Sequence, residues 1–130
     1  MEFVTFEIAK KLKEKGFPQT PDYYNYVNYS SYYEWYGLRK THSLSNASVW
    51  FDTNINRDNL YFAPTISQVL NWLREEKKIA VNVEFIPYVW QYKIIDMSFN
   101  DRFTPCGVTI FDSYEQAALA GITYVVDNLI

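Results

Sequence analysis

The sequence predicts a single α+β domain spanning residues 1–130, an antiparallel sheet of three to five strands carrying two or three helices. Three observations predict it. Thr65/Gln68 and Ser113/Gln116 have capping-box spacing, and each opens an apolar stripe of helical period. Between them Ile79, Val81, Val83 and Phe85 alternate with Ala80, Asn82 and Glu84, the pattern of a half-buried strand. The connections are short, which favours an antiparallel meander with both helices on one face.

In chain order, Thr5 caps a first helix running to about Lys15. Ile8, Ala9 and Leu12 form its apolar stripe, and Gly16 suits the residue after its end. Lys10, Lys11, Lys13 and Lys15 lie around the other face, as a solvated surface or toward an acidic partner. Residues 17–22 read as a turn or loop. Residues 23–36 hold seven tyrosines and a tryptophan, and read as a hairpin turning at Asn28–Ser31 or as a loop wrapped across the domain. Residues 41–48 are turn-like, Val49-Trp50-Phe51 suits a short strand, and residues 52–64 read as an exposed loop closed by Pro64.

The second half is sharper. Ile66, Val69, Leu70 and Leu73 form the core stripe of a helix that ends in charges at 74–78, with Trp72 off its centre. Pro87 breaks the strand that follows. A second strand is expected from about Trp90 to Met97, a turn at Asn100-Asp101-Arg102, and a third strand from about Gly107 to Phe111. The last helix places Ala118, Gly121, Ile122, Val125 and Leu129 on one face. Its small residues Ala117, Ala118 and Gly121 allow close approach to the sheet. The C-terminal half thus reads helix-strand-strand-strand-helix.

Composition narrows the function. The chain has 130 residues, 48% apolar, with a formal charge of -3, which does not suit a protein that grips phosphates over its whole surface. Cys106 is the only cysteine, in keeping with a reducing compartment, and no apolar run suits a signal peptide or a membrane span. A cytoplasmic location is therefore expected. Aromatic residues reach 19%, with 12 Tyr, 9 Phe and 4 Trp, a bias shared by aromatic cores and binding surfaces.

Two stretches, Ala63-Pro64-Thr65-Ile66-Ser67-Gln68-Val69-Leu70-Asn71-Trp72-Leu73-Arg74-Glu75-Glu76-Lys77 and Phe111-Asp112-Ser113-Tyr114-Glu115-Gln116-Ala117-Ala118, carry a resemblance. They resemble a family of small hypothetical proteins common in gut Bacteroidetes and their prophages, which pair an "APT…WLRE" helix with a C-terminal "YEEA" helix. Residues 6–17 are similar to that family's opening helix. The resemblance covers most of the chain, least clearly the tyrosine-rich part. It implies a mobile-element origin and a cytoplasmic location, and it transfers no activity and no site residues.

Candidate chemistry is sparse. Asp52-Thr53-Asn54-Ile55-Asn56 opens like a calcium loop, but Arg57 and Ala63 stand where the turn glycine and the bidentate glutamate belong. An Asx-rich turn explains the run better. His42 is the sole histidine, so the usual zinc sites are not expected. A Cys106–His42 nucleophile and base would lack a recognised signature. Asp96 and Asp112 could face each other at the ends of adjacent strands, as paired carboxylates do in glycosidases. The element order is that of double-stranded-RNA-binding domains, yet Ser113-Tyr114-Glu115-Gln116 replaces their basic cluster. No metal or cofactor is expected.

The tyrosine-rich segment is the main lead. An alternating strand cannot bury all of it, so Tyr23, Tyr24, Tyr26, Tyr29, Tyr33 and Tyr36 are the candidate binding residues. At least three are expected to expose ring surface. Three readings compete, ranked as a lid over the core, a protein or homodimer interface, and a stacking platform for bases or sugars. The expected activity is non-enzymatic binding, to a protein partner or a second copy. Nucleic-acid binding through exposed aromatics is second, and a small hydrolase-like enzyme using Asp96, Asp112 or Cys106 is third.

Overall fold

The computed structural model describes residues 2–19, 24–28, 36–40, 60–97, 101–103 and 110–130. Among them are three helices: α1 (Phe6–Glu14), α2 (Ile66–Glu76) and α3 (Tyr114–Asn128). The strands are β1 (Tyr24–Asn28), β2 (Tyr36–Lys40), β3 (Leu60–Phe62), β4 (Ile79–Ile86), β5 (Val89–Asp96) and β6 (Asp101–Phe103). The fold is α+β, and its strands form two antiparallel sheets, ordered β2-β1-β3 and β4-β5-β6. Contacts gather into two units, Phe3–Pro64 and Thr65–Ile130 with Met1–Glu2. No helix among the described residues is long and apolar enough to cross a membrane.

The first unit holds α1 and the sheet β2-β1-β3. The Thr5 hydroxyl accepts from the Ile8 N–H at 3.3 Å and caps α1, as expected. The helix ends in a Schellman motif. Phe17 N–H donates to Leu12 O at 2.9 Å, Gly16 N–H donates to Lys13 O at 3.2 Å, and Gly16 has φ +90°. This reversal buries Phe17, which stacks on Phe62 at 6.0 Å. Gln19 ties the same segment to β3, accepting from Phe62 N–H and donating to Phe17 O.

β1 and β2 pair antiparallel with Asn28 opposite Tyr36, so Asn28 is a strand residue and not the start of the expected turn, and residues 29–35 lie outside the described residues. Leu60 to Phe62 is a correction. The sequence reads it as loop, but Tyr61 pairs with Tyr26 and both Leu60 and Phe62 are buried. Leu-Tyr-Phe alternates as a strand does, and the Asn- and Asp-rich residues before it mask that signal. The expected strand at Val49–Phe51 lies outside the described residues.

The second unit is the helix-strand-strand-strand-helix half. Its capping box is complete: Thr65 Oγ1 accepts from Gln68 N–H at 3.2 Å and Gln68 Oε1 accepts from Thr65 N–H at 2.8 Å. Ile66, Val69, Leu70 and Leu73 are buried as the stripe requires. α3 uses a shifted version. Ser113 Oγ accepts from Gln116 N–H, while Gln116 Oε1 reaches back to Asp112 N–H. Its buried face holds Ala117, Ala118, Gly121, Ile122, Val125 and Val126, while Leu129 is half-buried.

α2 and α3 pack against each other and both against β4. Helices on opposite sides of a sheet would lie about 20 Å apart, twice the layer spacing, so both cover one face. Gly121 marks the closest approach: a Cβ there would meet Val81 Cγ1 at 2.6 Å and the Tyr92 ring at 3.2 Å.

The third strand differs from expectation. It is β6, at Asp101–Phe103, with Asp101 opposite Asp96 and Phe103 opposite Ile94. β5 ends at Asp96 and β6 begins at Asp101, so pairing resumes where the sequence suggests only a turn. Of the expected strand at 107–111, Phe111 alone pairs among the described residues, as an isolated bridge to Trp90.

Candidate functional site

The proposed chemical pairs do not assemble among the described residues. Asp96 ends β5, beside Asp101. Asp112 follows Phe111, whose partner Trp90 is the second residue of β5. Trp90 and Asp96 are six residues apart on one strand, about 20 Å. The two carboxylates therefore sit toward opposite ends of β5, which corrects the expectation that they face each other. His42, Cys106 and the calcium-like run 52–57 lie outside the described residues. No group of His, Cys, Asp or Glu suited to a metal ion occurs among the described residues.

Of the six candidate tyrosines, Tyr26 has a described side chain, and it is 9% exposed. Its ring meets Phe6 edge-on at 5.6 Å, and its hydroxyl donates to the buried Val4 carbonyl. Tyr26 is a core residue, a correction to its place in a contact patch. The hydroxyl that makes tyrosine suit a surface is here satisfied inside. Tyr24 and Tyr36 lie in the paired strands β1 and β2. Their side chains, and residues Tyr23, Tyr29 and Tyr33 entirely, are outside the described set. Lys13 of α1 also finds use within the unit. Lys13 Nζ donates to Leu60 O at 2.8 Å and sits 4.7 Å above the Tyr61 ring.

The exposed aromatic surface lies elsewhere, at the tip of the β4–β5 hairpin. Ile86 pairs with Val89, leaving Pro87-Tyr88 as a two-residue turn. Proline at the first central position and φ 74° at the second are the pattern of a type II turn. Glycine or asparagine normally takes that second position, because a Cβ is strained at positive φ. Tyrosine takes it here, with its side chain 95% exposed.

Around Tyr88 the surface stays apolar. Phe85 is 62% exposed, Ile110 56% and Tyr114 38%. Trp90 links Phe85 to Tyr114: its ring lies 4.9 Å from the first and 5.7 Å from the second, edge-on to the latter. Trp90 is itself held by two main-chain bonds to Phe111, at 2.9 and 2.8 Å. The cluster is thus rigid at its base and open at its end. Such a surface offers large contact area at low entropy cost.

Among the described residues, two acids follow the cluster in sequence. Asp112 and Glu115 adjoin Phe111 and Tyr114. Glu84 forms a 3.3 Å pair with Lys93, both half-exposed and worth little to stability. Further down the hairpin, burial raises the Tyr92 hydroxyl above its usual pKa of 10.0, and Tyr124 adds to the rise.

Sequence reasoning missed this tip because it took Pro87 as a strand break. The available signal was Phe85-Ile86-Pro87-Tyr88-Val89-Trp90, six apolar residues running straight through a turn that ordinarily carries polar ones.

Compared with known protein families, with curated proteins and with solved structures, the chain gives no match. The element order shared with double-stranded-RNA-binding domains therefore remains an analogy of order alone.

Proposed function

We propose that the chain is a non-catalytic protein-binding domain whose contact element is the aromatic tip of the β4–β5 hairpin. One observation carries this reading: Tyr88 is almost fully exposed at a strained backbone position, beside the exposed Phe85. A ring in water on a strained residue adds nothing to folding, and strain of this kind gathers at functional positions. Aromatic side chains are also enriched at binding hot spots. The neighbouring Asp112 and Glu115 weigh against a nucleic acid, whose phosphates they would repel. The lone cysteine and the resemblance to prophage proteins support a cytoplasmic partner.

The test is capture of partners from host cells by wild type and by Phe85→Ser/Tyr88→Ser. The double variant is expected to lose a specific partner while its unfolding free energy changes by no more than about 1 kcal/mol, as for two surface positions. An unchanged partner profile would reject the tip as the contact element.

A further inference from the structure

The outer edge of β4 carries an inference that goes beyond the side chains of the tip. β4 is the first strand in the order β4-β5-β6, so among the described residues no strand pairs with its outer side. The hydrogen bonds around Trp90 reveal which residues face that side. Trp90 N–H donates to Phe111 O and Trp90 O accepts from Phe111 N–H, so the main chain of Trp90 points away from β4. Phe85 stands opposite Trp90. In an antiparallel ladder, opposite residues exchange both bonds or neither. The N–H and C=O of Phe85 therefore point outward, and alternation does the same for Ile79, Val81 and Val83. An independent contact agrees: Lys78 O accepts from Met97 N–H at 2.8 Å, which places the even-numbered residues on the β5 side.

Among the described residues no strand covers this edge, and its own sequence does not blunt it. Ile79 to Ile86 contains no proline, glycine or lysine, the residues that blunt exposed edges. Ile79 and Val81 are buried, but Val83 is half-buried and Phe85 exposed. The accessible stretch thus offers an ordered set of main-chain donors and acceptors flanked by apolar side chains. The chemistry that satisfies such a row is another extended main chain.

We propose that β4 binds an extended peptide segment of a partner protein by strand addition along Val83–Phe85, with apolar residues of that segment lying beside Val83 and Phe85. The hypothesis is read out on main-chain groups, the N–H protection of Val83 and Phe85, which does not depend on the Tyr88 side chain.

The probe is the acetylated and amidated peptide Ile-Ala-Val-Asn-Val-Glu-Phe-Ile, the sequence of β4 itself. Antiparallel to β4 with asparagine opposite Asn82, it sets apolar residues opposite Ile79, Val81, Val83 and Phe85. Amide exchange of the full chain is followed as peptide is added. The N–H groups of Val83 and Phe85 are expected to exchange fast in the free chain and to slow by about tenfold or more with peptide, an opening equilibrium shifted by binding. Asn82 and Glu84 stay protected throughout.

Val83→Pro removes an outward donor and keeps the β5 ladder, since edge strands tolerate proline there. It is expected to weaken peptide binding by about tenfold or more, with the protection of Asn82 and Glu84 intact. Should that variant unfold, N-methylation of alternate peptide residues replaces it, and one of the two alternating sets must abolish binding. Four results would overturn the proposal: slow exchange of Val83 and Phe85 in the free chain, no peptide binding, binding indifferent to these changes, or protection that rises with protein concentration alone. The last would assign the edge to a second copy.

Discussion

The two ends of the β4–β5 hairpin share the same strands and the same alternation, yet they are put to opposite uses. At the base, Ile79, Ala80, Val81 and Ile94 are buried and Gly121 of α3 presses on the sheet. At the tip, Phe85, Ile86 and Tyr88 are exposed. The cause is the length of the elements. The eight residues of β4 span about 26 Å at strand rise. The eleven residues of α2 span about 17 Å at helix rise. α3 begins beside Trp90, leaving the turn beyond its first residue. Alternation in a strand tells which side is apolar, and the reach of the helices decides how much of that side is covered.

Changes at the base should therefore be costly. Ile94→Ala removes a fully buried side chain and is expected to destabilise by about 2–5 kcal/mol in chemical denaturation. A loss below about 1 kcal/mol would mean that the base is not the packed core it is taken for. Gly121→Ala comes next. Its methyl would collide with Val81, whose branched side chain has little freedom to turn away. Overpacking of about 1–3 kcal/mol outweighs the gain in helix propensity of at most about 1 kcal/mol. A stabilised Gly121→Ala would show that the helix can lift at no cost.

The smallest effect is one of pH. Burial holds the Tyr92 hydroxyl neutral, so its folded pKa lies above the unfolded value of 10.0. Its contribution is fully present below that value and is lost as pH rises through the folded pKa. Tyr92→Phe should flatten the alkaline fall in unfolding free energy without affecting neutral pH in that way. An identical alkaline limb in both proteins would contradict the assignment.

These elements differ in how legible they were. α2 and α3 could be read directly, because capping residues and apolar stripe agree on both start and face. β4 followed from alternation, and β5 lies within a residue of the bounds expected for the second strand. β3 was hidden, since three residues carry too little pattern against the polar run before them. β6 was displaced, because pairing depends on which residues return first to β5 and local composition does not report that. Tyr26 is not legible as core, because a tyrosine suits a surface or a core equally until its hydroxyl finds a partner, here Val4 O. The tip was legible only in hindsight. A proline between strands can mean an end or a turn, and the exposed aromatic Tyr88 defies the turn chemistry that separates them.

The most direct test of the central claim, that this tip is a contact surface, is a photo-crosslinking amino acid placed at Tyr88 in host cells. Position Glu75, exposed on α2, serves as the control site. One discrete adduct is expected from position 88 that disappears when Phe85→Ser is added, and no such adduct from position 75. Equal labelling from both positions, or none from 88, would contradict that claim.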